Sequence, residues 1–120
     1  MGQTIKPIAV VVEDDYFQCE AIRELLEGNH MQVIRCESAE AAELVVARTG
    51  LELELLVTDV ELGGVKSGLE LANFARSQFP HLKIIVVSSR HPGEIPPEAT
   101  FLQKPWMPLE LLREVLPART

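Results

Sequence analysis

Three acids in a row, Glu13, Asp14 and Asp15, close the stretch VVVEDDY, and a fourth, Asp59, closes LLVTD. Ser88 and Ser89 end IIVVSS, and Lys104-Pro105 follows FLQ. Carboxylates brought within several ångströms repel, and each resists ionisation unless a cation joins them. A hard divalent ion is the natural partner. Mg²⁺ takes oxygen ligands in an octahedron, often one or two carboxylates with waters and phosphate oxygens, which suits an acidic pair and a lone Asp. Lys104 adds a compact positive charge, and the whole set is suited to holding a phosphoryl group. Each signal alone has an ordinary reading. Acids after a strand favour a helix start, an Asp at a strand end is commonly a turn residue, and Ser-Ser or Lys-Pro is commonly loop. Their shared placement, always just after an apolar run, carries the argument.

Those apolar runs are the elements that must position the acids. Ile8–Val12, Leu55–Val57 and Ile84–Val87 are nearly continuous in β-branched or aliphatic residues, as parallel strands covered on both faces require. Gln32–Cys36 and Thr100–Gln103 are weaker strand candidates. Phe17, Ala21, Ile22, Leu25 and Leu26 repeat at helical spacing and predict a first helix ending near Gly28-Asn29. A second, Ala-rich helix is expected over Ser38–Arg48. SGLE at Ser67–Glu70 reads as a capping box opening a third helix that stops at Pro80. Pro108 suits the first turn of a last helix carrying Leu109, Leu112, Val115 and Leu116. The order is a single α/β unit with an open, doubly wound sheet. In such sheets ligands gather beyond the carboxyl ends of the strands, where strand order reverses. If the first strand is central, Glu13, Asp14, Asp59, Ser88 and Lys104 meet at one edge.

Composition narrows the alternatives. The chain has 120 residues, fits one domain, and carries 47% hydrophobic but only 5% aromatic residues, ordinary for a soluble α/β protein. A formal net charge of −7 with no Lys/Arg cluster argues against a nucleic-acid partner. No apolar stretch approaches the ~18 residues of a membrane span, so no membrane partner is expected, and a cytoplasmic location is. Cys19 and Cys36 lack metal-site or C-x-x-C spacing and read as reduced, buried thiols.

Together VVVEDD, LLVTDVELGG, IIVVSS and FLQKPW resemble the motifs of the receiver domain of two-component response regulators, the CheY-like superfamily, from about Ile8 to Leu116. The resemblance implies a flavodoxin-like fold, a five-stranded parallel sheet of order 2-1-3-4-5. It implies one receiver domain spanning 1–120, with its core at about 8–116, and leaves open whether that domain stands alone or belongs with an output domain. Asp59 stands at the phosphoacceptor position. Asp14 matches a direct Mg²⁺ ligand, Glu13 a ligand through water, and the main-chain carbonyl of Glu61 completes the protein's share of the metal shell. Ser88 takes the Ser/Thr position, Lys104 the family's lysine, and Phe101 its switch aromatic. The implied donor is a sensor histidine kinase or a histidine phosphotransfer protein. The implied chemistry is self-phosphorylation and self-dephosphorylation on Asp59, with no other enzymatic activity. The sequence leaves the oligomeric state open.

Several features depart from the pattern. The loop VELGGVKSG after Asp59 lacks the common proline and is one residue longer than usual. Glu61 and Arg90 occupy the positions that in this family modulate phosphoryl loss. Trp106 is expected to pack at the entry of the last helix. Between Ser89 and Ala99, Pro92, Pro96 and Pro97 remove amide donors and push preceding residues out of helical geometry, so the family's fourth helix should be shortened or missing. Two rivals remain from other classes. One is a degenerate receiver acting only as a docking module. The other is a haloacid-dehalogenase-type phosphatase, whose D-x-D is imitated by DVE but whose nucleophile follows the first strand.

Overall fold

The structure, a computed structural model, describes residues 5–116. The expectation of one domain over 1–120 extends beyond the described residues at both ends. Five strands, β1 (Ile8–Val12), β2 (Gln32–Cys36), β3 (Leu53–Asp59), β4 (Lys83–Ser88) and β5 (Thr100–Gln103), form one parallel sheet of order β2-β1-β3-β4-β5. The helices are α1 (Tyr16–Glu27), α2 (Ala39–Thr49), α3 (Gly68–Gln78) and α4 (Pro108–Val115).

Alternation along the central strands divides the core into two layers. Ala9 and Val11 of β1 face Cys19, Ile22 and Leu26 of α1 and Leu111 of α4. Val10 and Val12 face Ala42 and Val46 of α2 and Ala72 and Ala75 of α3. Each buried Val or Leu contributes about 1.5–3 kcal/mol of transfer free energy, and the small Ala faces let α2 and α3 approach the sheet closely. Cys19 and Cys36 are free and buried, and burial pushes both thiols up from their ordinary range, as fits inert core residues.

Helix starts follow the local chemistry. The Asp15 carboxylate accepts from the Gln18 amide at 3.1 Å, and the Ser38 hydroxyl accepts from the Ala41 amide at 3.1 Å. Ser67 and Glu70 form the reciprocal capping box. Two expectations need correction. β3 extends past Leu55–Val57 in both directions, because Leu53 is buried although the exposed Glu54 interrupts the apolar run. In α4 the buried leucine is Leu111, whereas Leu109 in the first turn is 70% exposed.

The segment Ser89–Ala99 contains no helix. It joins β4 to β5 irregularly, with Pro96 buried and left-handed backbone at Gly93 (φ 86°) and Glu98 (φ 62°). The Arg76 guanidinium, at the end of α3, clamps it. It donates to the carbonyl of Pro97 at 2.8 Å and to those of Pro80 at 2.9 Å and Leu82 at 2.8 Å. The three prolines thus exchange a regular helix for a strap that one side chain ties down.

Candidate functional site

Parallel pairing sets the ends of β1, β3 and β4 level, so the residues following them converge. Val12 pairs with Thr58, and Asp59 with Val87. Glu13 follows directly and is held by its own amide, which donates to the Cys36 carbonyl at 3.2 Å. Glu13 and Asp59 are 4% and 5% exposed, and Asp14 is exposed. One carboxylate oxygen from each of the three lies within 4.8 Å of the others.

Lys104 enters from the end of β5. Its ammonium donates to Asp59 Oδ2 at 2.8 Å and to Glu13 Oε1 at 3.2 Å. The Lys104 amide donates to the Ser88 carbonyl at 2.8 Å, and the Lys104–Pro105 peptide is cis. Asp59 Oδ1 accepts from the Glu61 amide at 3.2 Å, and Glu13 Oε2 from the Asp15 amide at 3.1 Å. Two of the three carboxylates, Glu13 and Asp59, therefore share one ammonium. Burial, with the nearby Asp59 charge, pushes Glu13 up to about 7 against the lowering pull of the Asp15 amide and Lys104. Burial works against the Lys104 charge, but its bonds to Asp59 and Glu13 outweigh that and hold it above the ordinary lysine range.

The long loop after Asp59 is fixed by acids on its neighbours. Asp14 Oδ2 accepts from the Gly63 amide at 3.1 Å, and Glu40 of α2 accepts from the Lys66 amide at 2.8 Å. The Lys66 ammonium pairs with Glu43 at 2.8 Å. Where the loop enters α3, Gly68 lies against the acid-bearing strand end: a Cβ there would stand 1.7 Å from the Asp59 carbonyl oxygen. Any side chain at Gly68 would displace Asp59.

Ser88 is fully buried. Its hydroxyl donates to Glu61 Oε2 at 2.8 Å and accepts from the Arg90 amide at 3.3 Å. Phe101, half-buried, lies across the strand pair from Val86, and its ring meets that of His91 at 4.9 Å between centroids. Trp106 packs against the α1–α4 layer, as expected, and lines a groove of about 620 Å³ with Gln18, Ala21, Lys104 and Pro105.

The structure thus brings Glu13, Asp14, Asp59 and Lys104 into one cluster, with the Glu61 amide on Asp59, Ser88 joined to it through the Glu61 side chain, and Phe101 beyond. Sequence reasoning missed the Glu61 carboxylate as the acceptor for Ser88, the Gly63 amide on Asp14, and Glu40 as the anchor of the loop. The first joins residues 27 positions apart, the second 49 and the third 26, so no local spacing marks them.

In a doubly wound parallel sheet the crevice beyond the strand ends, at the switch point, is where ligands bind, and here an acid cluster and a lysine occupy it. Residues 9–115 match the family model of the response regulator receiver domain, and the chain belongs to that family. The response regulator protein FleR of Pseudomonas aeruginosa is 35% identical over 81 residues, which make up 67% of this chain and 16% of FleR. The chain therefore spans a small part of that relative's length. Among solved structures, a response regulator receiver protein from Sinorhizobium medicae superposes with a TM-score of 0.82 at 20% identity, covering 92% of this chain and 91% of that one. A chain of the CheX–CheY–BeF3–Mg²⁺ complex from Borrelia burgdorferi gives 0.82 at 14% identity, covering 95% of this chain and 90% of that one. Both likenesses are of fold. Family membership sets aside the haloacid-dehalogenase reading. Among the described residues no helix is long and apolar enough to cross a membrane.

Proposed function

We propose that Asp59 accepts a phosphoryl group from a phosphohistidine on a sensor histidine kinase or histidine phosphotransfer protein in the cytoplasm, and that the domain signals by the resulting change of shape. One observation carries this reading: Asp59 is a buried carboxylate at a strand end, hydrogen-bonded by Lys104 and within 4.8 Å of two further acids.

The donor set fits a hard divalent cation, since three converging carboxylates have only one ammonium among them. Glu13, Asp14, Asp59 and the main-chain carbonyl of Glu61 would hold Mg²⁺. When bound it supplies charge neutralisation for the transferring group. A carboxylate oxygen of Asp59 attacks phosphorus, the bond from phosphorus to the donor imidazole nitrogen breaks, and the imidazole keeps that electron pair. Lys104, already hydrogen-bonded to Asp59, neutralises charge on the phosphoryl oxygens, and this positioning and electrostatic help supplies most of the catalysis. The Ser88 hydroxyl then donates to a phosphoryl oxygen, and the space it leaves lets Phe101 move inward. A hydrogen bond to a charged group contributes about 1.5–3 kcal/mol, whereas reversing a 1:99 population takes about 5.5 kcal/mol. Lys104 and repacking around Phe101 must supply the remainder. The complete set of acids, lysine and hydroxyl favours this over a docking-only role.

Acetyl phosphate with Mg²⁺ tests the assignment. Intact-mass measurement should show one phosphate adduct on the wild type and none on Asp59→Asn. Equal adducts on both proteins would place the acceptor elsewhere, and full adduct formation in EDTA would remove the metal role.

A further inference from the structure

The Ser88 hydroxyl has one proton, and in this structure it is committed to the wrong acceptor for signalling. It donates to Glu61 Oε2 at 2.8 Å, while the Arg90 amide at 3.3 Å occupies one of its lone pairs. The side chain is fully buried, and the Ser88 carbonyl is held by the Lys104 amide at 2.8 Å, so the backbone does not turn freely to offer a second arrangement. Glu61 is placed for this by its own amide, which bonds Asp59 Oδ1 at 3.2 Å. The same residue thus touches the proposed acceptor with its backbone and the proposed switch residue with its carboxylate.

From this we infer that Glu61 is a latch on the switch: a positioning residue whose carboxylate holds the Ser88 hydroxyl away from Asp59 and must be displaced by the phosphoryl group. The inference rests on the assignment of Asp59 as phosphoacceptor and adds to it a competing internal ligand. A hydroxyl bound to a carboxylate cannot at the same time donate to a phosphoryl oxygen, so the two bonds exclude each other. Exchanging one charged acceptor for another leaves little net gain in the bond itself. Ser88 therefore contributes less to activation here than it would beside an apolar neighbour. The latch keeps the unphosphorylated state off and makes the switch depend more on Lys104 and Phe101.

Two properties of Glu61 could act on a phosphoryl analogue: its negative charge and its hydrogen-bond acceptor. Gln separates them, because its amide oxygen still accepts from a hydroxyl while the charge is gone. The measurement is beryllofluoride affinity by calorimetry at saturating Mg²⁺. Glu61→Ala should bind beryllofluoride about tenfold more tightly than the wild type, the lower end of what one hydrogen bond to a charged group contributes. Glu61→Gln, which keeps a weaker, neutral acceptor for the Ser88 hydroxyl, should show a smaller gain of about threefold. In a Ser88→Ala background, where no hydroxyl is left to hold, Glu61→Ala should change nothing further. Equal gains from Gln and Ala would assign the effect to charge repulsion and overturn the latch. So would a full Glu61→Ala gain that persists without the Ser88 hydroxyl. Failure of the wild type itself to bind beryllofluoride, with Asp59→Asn indistinguishable from it, would instead bring down the acceptor assignment and the latch with it.

Discussion

Two polar clusters lie at opposite ends of the β4–β5 strand pair, and each is built around one lysine. At the amino end, Lys83 donates to Thr100 at 3.0 Å and to Glu114 at 3.2 Å, and Thr100 also donates to Glu114 at 3.1 Å. One cation meets one acid there, with side chains about a third exposed (35% and 32%). At the carboxyl end, Lys104 faces Glu13 and Asp59, whose side chains are 3% and 6% exposed, with Asp14 beside them. The first cluster is neutral and satisfied, and water can replace any member. The second keeps a surplus of buried negative charge that a further cation, or a proton on Glu13, can relieve. The same strands thus carry a fastening at one end and a site at the other, and charge balance distinguishes them.

The largest effect should come from removing the lysine of the unbalanced cluster. Lys104→Met leaves Glu13 and Asp59 buried with no cation, a change of the kind that costs about 3–5 kcal/mol in fully buried pairs. Because Lys104 is itself one-fifth exposed (20%), the expected loss in EDTA is about 2–3 kcal/mol, read by urea denaturation at pH 8. Mg²⁺ should restore part of it. In the same variant the Trp106 fluorescence change on adding beryllofluoride should be diminished. A loss no greater than that of the matching Lys83 variant would break the comparison.

A neutral residue at Glu13 should act in the opposite direction. Burial raises Glu13 from 4.5 to about 7, so the folded protein keeps that proton in a range where the unfolded chain has released it. Stability then falls as pH rises from about 4.5 to about 7, because the native state binds more protons than the unfolded state there. Above that window the buried charge weighs against the metal-free fold in full. Glu13→Gln should therefore stabilise the protein in EDTA at pH 8 by about 1–2 kcal/mol, after allowing for weaker bonds to Lys104 and Asp15. The gain should shrink towards zero as pH falls towards 4.5, and Mg²⁺ should favour the wild type instead. A gain equal at pH 5 and pH 8 would mean that packing, not charge, sets it.

The contrast between the clusters was only half legible in the sequence. Glu13, Asp14, Asp59, Ser88 and Lys104 could be read because each directly follows an apolar run, and a parallel sheet aligns the ends of such runs. Ser67 could be read because a cap bonds an amide within three residues. The irregular Ser89–Ala99 segment was legible from its prolines. The Lys83–Glu114 pair was not, since it depends on how α4 lies across the sheet. That same docking decides for Leu111 over Leu109, a choice that helical spacing alone leaves between neighbouring faces. The Arg76 clamp, the Glu40 anchor and the Glu61–Ser88 bond were hidden for a related reason. A long charged side chain has no local signature for which distant backbone or hydroxyl it will reach.

The smallest effect should come from the balanced cluster, and its smallness is what the comparison requires. Lys83→Met removes a partly exposed ion pair of the sort that contributes about 0–1 kcal/mol. Glu114 would keep the Thr100 hydroxyl as a donor and gain water, so no charge would be left buried without a partner. The methionine stem would preserve most of the apolar contact that the lysine stem makes. The expected loss is under about 1 kcal/mol at low salt and smaller still in 0.5 M salt, on the order of the screening expected for exposed charges. The response to Mg²⁺ and beryllofluoride should be unchanged, because nothing in this cluster reaches the carboxyl ends of the strands. A loss above about 2 kcal/mol would show that the amino-end pair is as hard to leave unmatched as a buried one. Exposure and charge balance would then no longer tell a fastening from a site in this sheet.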